Sequence, residues 1–307
     1  MSTGLVLKST GKFYTVLNAA GERIECTIRG SFRIKGIEGT NPVAAGDKVE
    51  FETTGQNSGI INVIIPRSNY IIRKATNLSK QYHIIAANVD QALLIVTVAF
   101  PETMPAFIDR FLVSAEAYRI PAILVFNKTD LYSEEHIFQM NQLTAIYQNA
   151  GYTVLAVSAV KGDNIQSLSR LLKDKVSVIA GNSGVGKSTL INKVDPSLNL
   201  KTGSISDCYN TGRHITTFAE MFPLMQGGYI IDTPGIRAFG VVDMVREEIY
   251  HFFPEIFATA ANCRFNNCMH LNEPGCAVID AVRSGQIAGS RYASYIGIIE
   301  QDESKYR

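Results

Sequence analysis

The chain has 307 residues, of which 46% are hydrophobic and 19% charged, a composition typical of a globular protein with two or three domains. The longest apolar run, residues 92–101, is too short to span a bilayer, and residues 1–8 lack the basic and apolar regions of a signal peptide. We therefore expect a cytoplasmic, monomeric protein with no membrane partner. The net charge is +1, but residues 1–75 hold ten Lys and Arg against six Asp and Glu, whereas residues 241–307 hold six against nine. The basic excess is compatible with contact to nucleic acid and equally with an ordinary solvated surface.

Residues 1–72 predict a small β-barrel that binds RNA. Segments rich in strand-forming residues, at 13–17, 23–28, 48–51 and 59–65, are separated by turns that contain Gly and Asn. Four or five short strands in roughly 70 residues are typical of an OB-type barrel, and an SH3-like barrel would have a similar pattern. The basic residues near one loop, Arg29, Arg33 and Lys35, are candidates for RNA contact, although solvated surface residues would look the same.

Residues 73–240 predict an α/β domain built on a parallel sheet, and residues 241–307 predict a helical domain. After a polar connector at 67–90, apolar runs typical of buried parallel strands occur at 91–98, 121–126, 153–157, 176–180 and 229–231. Helical patterns such as 104–118 and 134–149 lie between these runs, as in other α/β domains.

The segment Gly181-Asn-Ser-Gly-Val-Gly-Lys-Ser188 fits the phosphate-binding pattern G-x-x-x-x-G-K-[ST] between a predicted strand and a predicted helix. In this setting backbone N–H groups and the helix N-terminus surround the phosphates, Lys187 reaches the β- and γ-phosphates, and Ser188 ligates Mg²⁺. The alternative is a chance glycine turn, which the strand and helix on either side make improbable. The expected nucleotide contacts are Gly181, Asn182, Ser183, Gly184, Val185, Gly186, Lys187, Ser188 and Thr189.

Asp232-Thr-Pro-Gly235 ends a predicted buried strand downstream of that loop. We expect Asp232 to hold Mg²⁺ through water and the Gly235 N–H to contact the γ-phosphate, so that the segment senses hydrolysis. By itself this pattern is weak, because any turn that begins with Asp resembles it. Its position after a phosphate-binding loop is what favours the functional interpretation.

Two further segments resemble the base-binding loops of GTPases. The first, Asn127-Lys128-Thr129-Asp130, resembles the guanine-recognition motif NKxD, in which the carboxylate accepts hydrogen bonds from guanine N1–H and the 2-amino group. The second, Ser158-Ala159-Val160-Lys161, resembles the loop whose backbone N–H meets guanine O6. Either segment alone is compatible with an ordinary turn, but the two together after buried strands predict a guanine nucleotide.

These motifs resemble those of the translation-factor-related GTPases, but in circularly permuted order, because the base-binding loops precede the phosphate-binding loop. Gly212-Arg-His-Ile-Thr-Thr217 lies where switch I belongs, so Thr216, with Thr217 as second choice, is the expected switch threonine and Mg²⁺ ligand. The position after Gly235, where Ras-type switches carry a water-orienting Gln, is Ile236. His214 is therefore our candidate for orienting the attacking water, with Arg237 or a group on a partner as alternatives.

Cys263, Cys268, His270 and Cys276 offer three thiolates and one imidazole within fourteen residues, which is a full tetrahedral set for a structural zinc ion. Free buried thiols are the alternative. Cys26 and Cys208 are isolated.

From end to end, these features are similar to those of the RsgA family (YjeQ, YloQ) of small ribosomal subunit biogenesis GTPases. The resemblance implies an OB-fold, a permuted GTPase domain and a zinc-binding helical domain. It also implies GTP, GDP, Mg²⁺ and Zn²⁺ as ligands, and binding to the maturing 30S subunit and its 16S rRNA late in assembly, where the subunit stimulates hydrolysis of GTP to GDP and phosphate. Ile215 departs from the threonine usual in the family.

Two other functions are compatible with the residues alone. One is an RNA-binding assembly scaffold in which the nucleotide is mainly structural. The other is a nucleotide-gated switch for a protein or membrane partner, against which the basic barrel and the lack of a lipidation motif argue.

Overall fold

The N-terminal part of the chain folds into a closed barrel of five strands in the computed structural model, which describes residues 1–28, 42–74, 82–200, 219–232 and 244–303. The strands are β1 (Ser2–Ser9), β2 (Tyr14–Asn18), β3 (Arg23–Ile28), β4 (Lys48–Gly55) and β5 (Ser58–Ile64). They pair in the order β1-β2-β3-β5-β4, and β4 closes the barrel on β1. The parallel pairing of β3 with β5 gives the Greek-key arrangement of an OB-type barrel, which decides against the SH3-like alternative.

Side chains alternate between the inside and the outside of the barrel along its strands. In β3 the inward residues Ile24 and Cys26 are buried, while Arg23 and Glu25 face solvent. Val6, Tyr14, Val16, Val49, Phe51 and Ile61 from the other strands complete this core.

An antiparallel ribbon, β6 (Tyr70–Lys74) with β7 (Tyr82–Ala87), follows the barrel. The sequence predicted only a polar connector over these residues, and the structure corrects that prediction. Contacts with the barrel hold the ribbon in place, since Ala45 bridges Ala86 and the Ala87 N–H donates to the Ala45 carbonyl at 2.9 Å. The expected domain boundary between residues 72 and 73 falls inside β6.

The α/β domain has a six-stranded sheet in the order β10-β9-β8-β11-β13-β12. Five of these strands are parallel and β12 is antiparallel to β13, as the alternation of strands and helices predicted for a largely parallel sheet. The strands are β8 (Gln91–Val96), β9 (Ala122–Phe126), β10 (Thr153–Ala156), β11 (Val176–Ala180), β12 (Glu220–Pro223) and β13 (Tyr229–Asp232).

Helices cover both faces of this sheet. Alternate residues of its strands point to opposite faces, and the residues on both faces are apolar, so each face packs against helices. Leu94 and Leu124 pack with α1 (Pro105–Ala117) and α2 (Glu134–Asn149) on one face. Leu93, Ile95 and Ile123 pack with α3 (Ile165–Leu172) and α4 (Lys187–Val194) on the other. Burial on both faces explains why these strands are continuous apolar runs in the sequence.

The barrel and the α/β sheet meet at one pair of strands. Lys8 of β1 lies opposite Glu220 of β12, and their side chains form an ion pair at 2.7 Å. β12, the next described strand after α4, is therefore in direct contact with the barrel.

The C-terminal part is helical, as predicted. A 3-10 helix (Arg246–Phe252) is followed by α5 (Pro254–Ala260), α6 (Ala277–Arg283) and α7 (Gly289–Glu303). Their shared core includes Ile249, Phe253, Val278 and Tyr295 and takes in Val113 of α1, so this core is continuous with the α/β domain. Across the described ranges, no helix combines the length and the apolar character needed to cross a bilayer.

Candidate nucleotide site and metal centre

The phosphate-binding segment leaves the central strand β11 and enters α4, so it lies at the carboxyl edge of the sheet. Two glycines are required by close approaches. A Cβ on Gly181 would lie 2.2 Å from the Ile95 carbonyl oxygen, and one on Gly186 would lie 2.6 Å from Asn127 Nδ2. Both residues have positive φ, at 144° and 91°. The glycines of the motif thus let the loop lie tightly against the ends of neighbouring strands.

Lys187 and Ser188 begin α4, and both are largely buried. Lys187 Nζ donates to the carbonyl oxygens of Gly181 and Asn182 at 2.8 and 2.7 Å, so the ammonium group lies over the start of the loop. Ser188 is the second residue of the same helix, whose N-terminus carries partial positive charge and therefore favours a negatively charged ligand. This arrangement is suited to binding a polyphosphate.

The Asn127 side chain joins three of the predicted motifs. Its Nδ2 donates to the Val185 carbonyl of the phosphate-binding loop at 2.9 Å, and its Oδ1 accepts from the Ala159 N–H at 3.2 Å. The residue is 1% exposed, so these bonds are sheltered from water. One amide therefore fixes the spacing between both base-binding loops and the phosphate-binding loop.

Asp130 and Ser158 form the other contact between the two base-binding loops. Ser158 Oγ donates to Asp130 Oδ1 at 2.5 Å and accepts from the Lys161 N–H at 3.0 Å. Thr129 Oγ1 donates to the Val157 carbonyl at 3.1 Å. The carboxylate is thereby held at one oxygen by a buried hydroxyl.

A further segment at this edge, residues 97–101, was not singled out by the sequence. The predicted strand 91–98 ends two residues early, at Val96, and the chain then turns across the site. Lys128 Nζ donates to the Phe100 carbonyl at 2.6 Å, and Pro101 Cδ lies 3.4 Å from where a Cβ on Gly184 would be. The one available signal was Pro101, which ends strands and begins turns.

Several predicted residues lie beyond what the structure describes. The predicted residues outside the described ranges are Arg29, Arg33, Lys35, His214, Thr216, Thr217, Gly235 and Arg237. The backbone of Asp232 ends β13, which pairs in parallel with β11 so that Asp232 is opposite Ile179. The chain position of Asp232 is therefore at the same carboxyl edge as the phosphate-binding loop.

The four predicted zinc ligands come together in the C-terminal part, with their ligating atoms within 4.8 Å of one another. The Cys263 and Cys276 sulfurs are 3.9 Å apart, and His270 Nδ1 is 3.6 and 3.4 Å from them. A tetrahedron with zinc bonds of about 2.3 Å to sulfur and 2.0–2.1 Å to nitrogen has edges of about 3.8 and 3.6 Å. The cluster therefore fits zinc in both ligand chemistry and spacing, which free thiols need not do.

The surrounding residues hold the ligands in place. Glu273 accepts from the backbone N–H groups of Met269 and Leu271, each at 2.8 Å, and Tyr292 donates to the His270 carbonyl at 2.6 Å. Burial raises the pKa of Cys268 to about 12 and lowers the pKa of His270. A divalent cation would reverse the effect on the thiols, because it stabilises thiolates.

Comparisons with known proteins agree with this arrangement. A family model described as RsgA N-terminal domain matches residues 3–61, and one described as RsgA GTPase matches residues 64–242. The small ribosomal subunit biogenesis GTPase RsgA of Phocaeicola vulgatus is 53% identical over 305 residues, which cover 99% of this chain and 98% of that protein. That of Bacteroides fragilis is 52% identical over the same length and the same shares.

Two solved structures are similar over almost the whole chain. YjeQ from Thermotoga maritima matches with a TM-score of 0.81 and 36% identity, covering 98% of both chains. YloQ, described as a circularly permuted GTPase, matches with a TM-score of 0.77 and 31% identity, covering 99% of this chain and 96% of that one. The similarity thus extends over the barrel, the permuted domain and the helical region.

Proposed function

The chain belongs to the RsgA family of GTPases and hydrolyses GTP, and we propose that it does so on the maturing small ribosomal subunit, in contact with 16S rRNA. The observation that supports this best is the combination of a complete set of guanine-nucleotide motifs with a barrel whose sequence carries a basic excess. The relatives are named for small-subunit biogenesis. Because the proposed partner is ribosomal, we propose that this protein acts in the cytoplasm, and that it does so as a monomer.

We assign the guanine base to Asp130, with Asn127 and Ala159 bracing the site. A carboxylate that already accepts from Ser158 Oγ keeps its second oxygen and remaining lone pairs for two donors of guanine. Adenine presents no such donor pair at that edge. Lys128, held by the Phe100 carbonyl, lies beside the same loop and supplies an aliphatic stem for one face of the base.

We assign the phosphates to the loop 181–186 and to Lys187. Ser188 and Thr216 would hold Mg²⁺, with Asp232 acting through water, and the ion would supply positive charge beside the phosphate oxygens. Lys187 stabilises negative charge on the bridging and terminal oxygens, and the Gly235 N–H contacts the γ-phosphate. His214 orients the attacking water and accepts its proton, because Ile236 has no group for either task.

The zinc cluster has a structural role in this proposal. Four protein ligands fill the tetrahedral positions and leave none for water or substrate. Zinc would join the loop 263–276 to the end of α5 and the start of α6, and so hold the C-terminal surface in shape for the subunit.

We also propose three domains for the chain. They are the barrel at 1–72, the GTPase domain at 73–240 and the zinc-binding helical domain at 241–307.

Turnover measured with and without purified 30S subunits tests the proposed function. We expect slow hydrolysis by the chain alone, at least tenfold stimulation by 30S subunits and none by 50S subunits. Co-sedimentation with 30S subunits should be stronger with a non-hydrolysable GTP analogue than with GDP. Co-sedimentation without stimulated turnover would favour the scaffold function instead.

The basic residues Arg29, Arg33 and Lys35 are the proposed phosphate contacts of the barrel. Replacing all three with Gln should weaken 30S binding and reduce the slope of log affinity against log salt by roughly two to three, since each lost phosphate contact removes about 0.7–0.9.

A matched control removes three exposed charges from a different surface, at and beyond the end of α3. Its sites are Arg170, Lys173 and Lys175. Equal losses in the two triple variants would mean that general charge, and not the barrel surface, determines binding.

A further inference from the structure

The two strands that lead into the nucleotide site, β8 and β9, stop bonding directly to each other at one position of their hydrogen-bond ladder. This position is called the rung below. The parallel ladder of β8 and β9 pairs Val96 with Phe126, and the Asn127 N–H donates to the Val96 carbonyl at 2.9 Å. In a regular parallel ladder the next bond would run from the Val98 N–H to the Asn127 carbonyl. The structure has a side chain between these two groups.

The hydroxyl of Tyr132 occupies that rung. It accepts from the Val98 N–H at 3.0 Å and donates to the Asn127 carbonyl at 2.7 Å. Val98 and Asn127 are 5% and 1% exposed, so their backbone groups need a partner inside the protein. The phenol therefore satisfies both groups while it keeps the strand ends farther apart than a direct bond would.

Both segments that this rung separates belong to the nucleotide site assigned under the proposed function, on which this inference rests. Beyond β9 the chain continues into the base-binding loop, and Asn127 is the residue whose side chain reaches Val185 and Ala159. Beyond β8 it continues into residues 97–101, whose Phe100 carbonyl holds Lys128. A direct bond between the strands would draw these two segments together and displace the Asn127 side chain from its two partners.

We propose that Tyr132 is a positioning residue for guanine-nucleotide binding, whose hydroxyl sets the separation between the base-binding loop and residues 97–101. The ring is held against the start of α2, since it lies edge-on to His136 at 6.0 Å and is followed by Ser133, the N-cap of that helix. Burial raises the pKa of Tyr132, so the hydroxyl keeps its proton and its donor role at neutral pH.

Tyr132→Phe removes the bridging oxygen and keeps the ring, and Tyr118→Phe is the matched control. Tyr118 lies at the end of α1, on the same face of the sheet, and its hydroxyl is directed at the Ile72 carbonyl, away from the site. We expect Tyr132→Phe to raise the Kd of both GTP and GDP at least tenfold, equivalent to about 1.4 kcal/mol. At saturating GTP, kcat should stay within threefold of wild type, and Tyr118→Phe should bind within twofold.

Two further measurements separate positioning from a general effect on folding. Amide exchange at Val98 should stay as slow in Tyr132→Phe as in wild type, because a direct bond to the Asn127 carbonyl replaces the lost one, and the unfolding temperature of the nucleotide-free protein should match that of Tyr118→Phe. Unchanged nucleotide affinity in Tyr132→Phe would overturn the proposal, as would an affinity loss accompanied by an unfolding temperature below that of the control. Wild-type affinity in Tyr132→Phe with weak binding in Tyr132→Leu would assign the role to the ring and refute it for the hydroxyl.

Discussion

Arg291 of α7 is the largest fully buried side chain of the described residues, and it joins the C-terminal helices to the GTPase domain. Its guanidinium donates to Asp109 of α1 at 2.8 Å and to Glu255 of α5 at 2.7 and 3.2 Å. The rings of Tyr147, Tyr152 and Phe253 surround it, with centroids 5.7, 5.7 and 4.7 Å away. Removing this side chain tests whether the two domains depend on it for stability.

Arg291→Met keeps much of the volume and deletes the charge. Asp109, whose side chain is 0% exposed, would then be a buried carboxylate without a cation, and Glu255 would lose its bidentate partner. Breaking a buried ion pair from one side costs about 3–5 kcal/mol, because the charge that remains is uncompensated. We expect a loss of that size in the unfolding free energy of the unit that contains α1 and α7, measured by urea denaturation with zinc present.

The loss should depend on pH in a direction set by Asp109. Burial raises the pKa of Asp109 even though Arg291 acts in the opposite direction. A carboxyl group with a raised folded pKa gains relative stability as the pH falls through that pKa, because the folded state then takes up the proton more readily. Without Arg291 the folded pKa rises further, so the gap to wild type should be smaller at pH 5.5 than at pH 8.

Arg283→Met supplies the matched control in the same domain. Arg283 pairs with Asp280 on the surface at 3.3 Å, with side chains 76% and 67% exposed. Exposed pairs contribute about 0–1 kcal/mol, so this variant should remain close to wild type at both pH values. Equal stability of the two variants, or a gap for Arg291→Met that is the same at both pH values, would refute the argument.

Three other outcomes test the assigned sites. Asp130→Asn should shift preference from GTP toward xanthosine triphosphate, because it inverts the hydrogen-bond polarity at the base; unchanged preference in competition binding would contradict the assignment. Cys268→Ser should lose zinc by metal analysis and weaken 30S binding while GTP binding persists, whereas Cys26→Ser, outside the cluster, should retain zinc. His214→Ala should bind GTP and 30S subunits but lose at least tenfold of the stimulated turnover, since a general base contributes roughly 10²–10⁴-fold; near wild-type turnover would leave Arg237 or a ribosomal group.

The sequence predicted the architecture because its signals are local. Continuous apolar runs identify strands buried on both faces, and motifs directly after those runs must lie at one edge of a parallel sheet. The zinc cluster was equally accessible, since its four ligands lie within fourteen residues. In each case the residues that define the feature are close together in the chain or attached to a strand end.

The features that the sequence did not predict depend on distant partners. Arg291 lies in a helix where a charged residue is normally exposed, and its partner Asp109 is 182 positions earlier. The ribbon β6–β7 is the exception, because its own residues, YIIRK and YHIIAA, are typical of strands, and the prediction gave more weight to the polar residues around them. β8 ends at Val96 because Tyr132, which comes later in the chain, occupies the next rung.

The permuted order places both added domains beside the segments in which the sequence predicts contacts to the γ-phosphate. The barrel precedes β8 and contacts β12 through Lys8 and Glu220, directly after the segment with the expected switch threonine. The C-terminal helices follow β13 and the expected γ-phosphate contact at Gly235, and Arg291 fixes them to α1. In an unpermuted GTPase domain, neither added domain would be attached to the chain at these points. On the function proposed above, a particle that binds both the barrel and the C-terminal helices would fix the described elements at the ends of both predicted switch segments, which would favour stimulated hydrolysis.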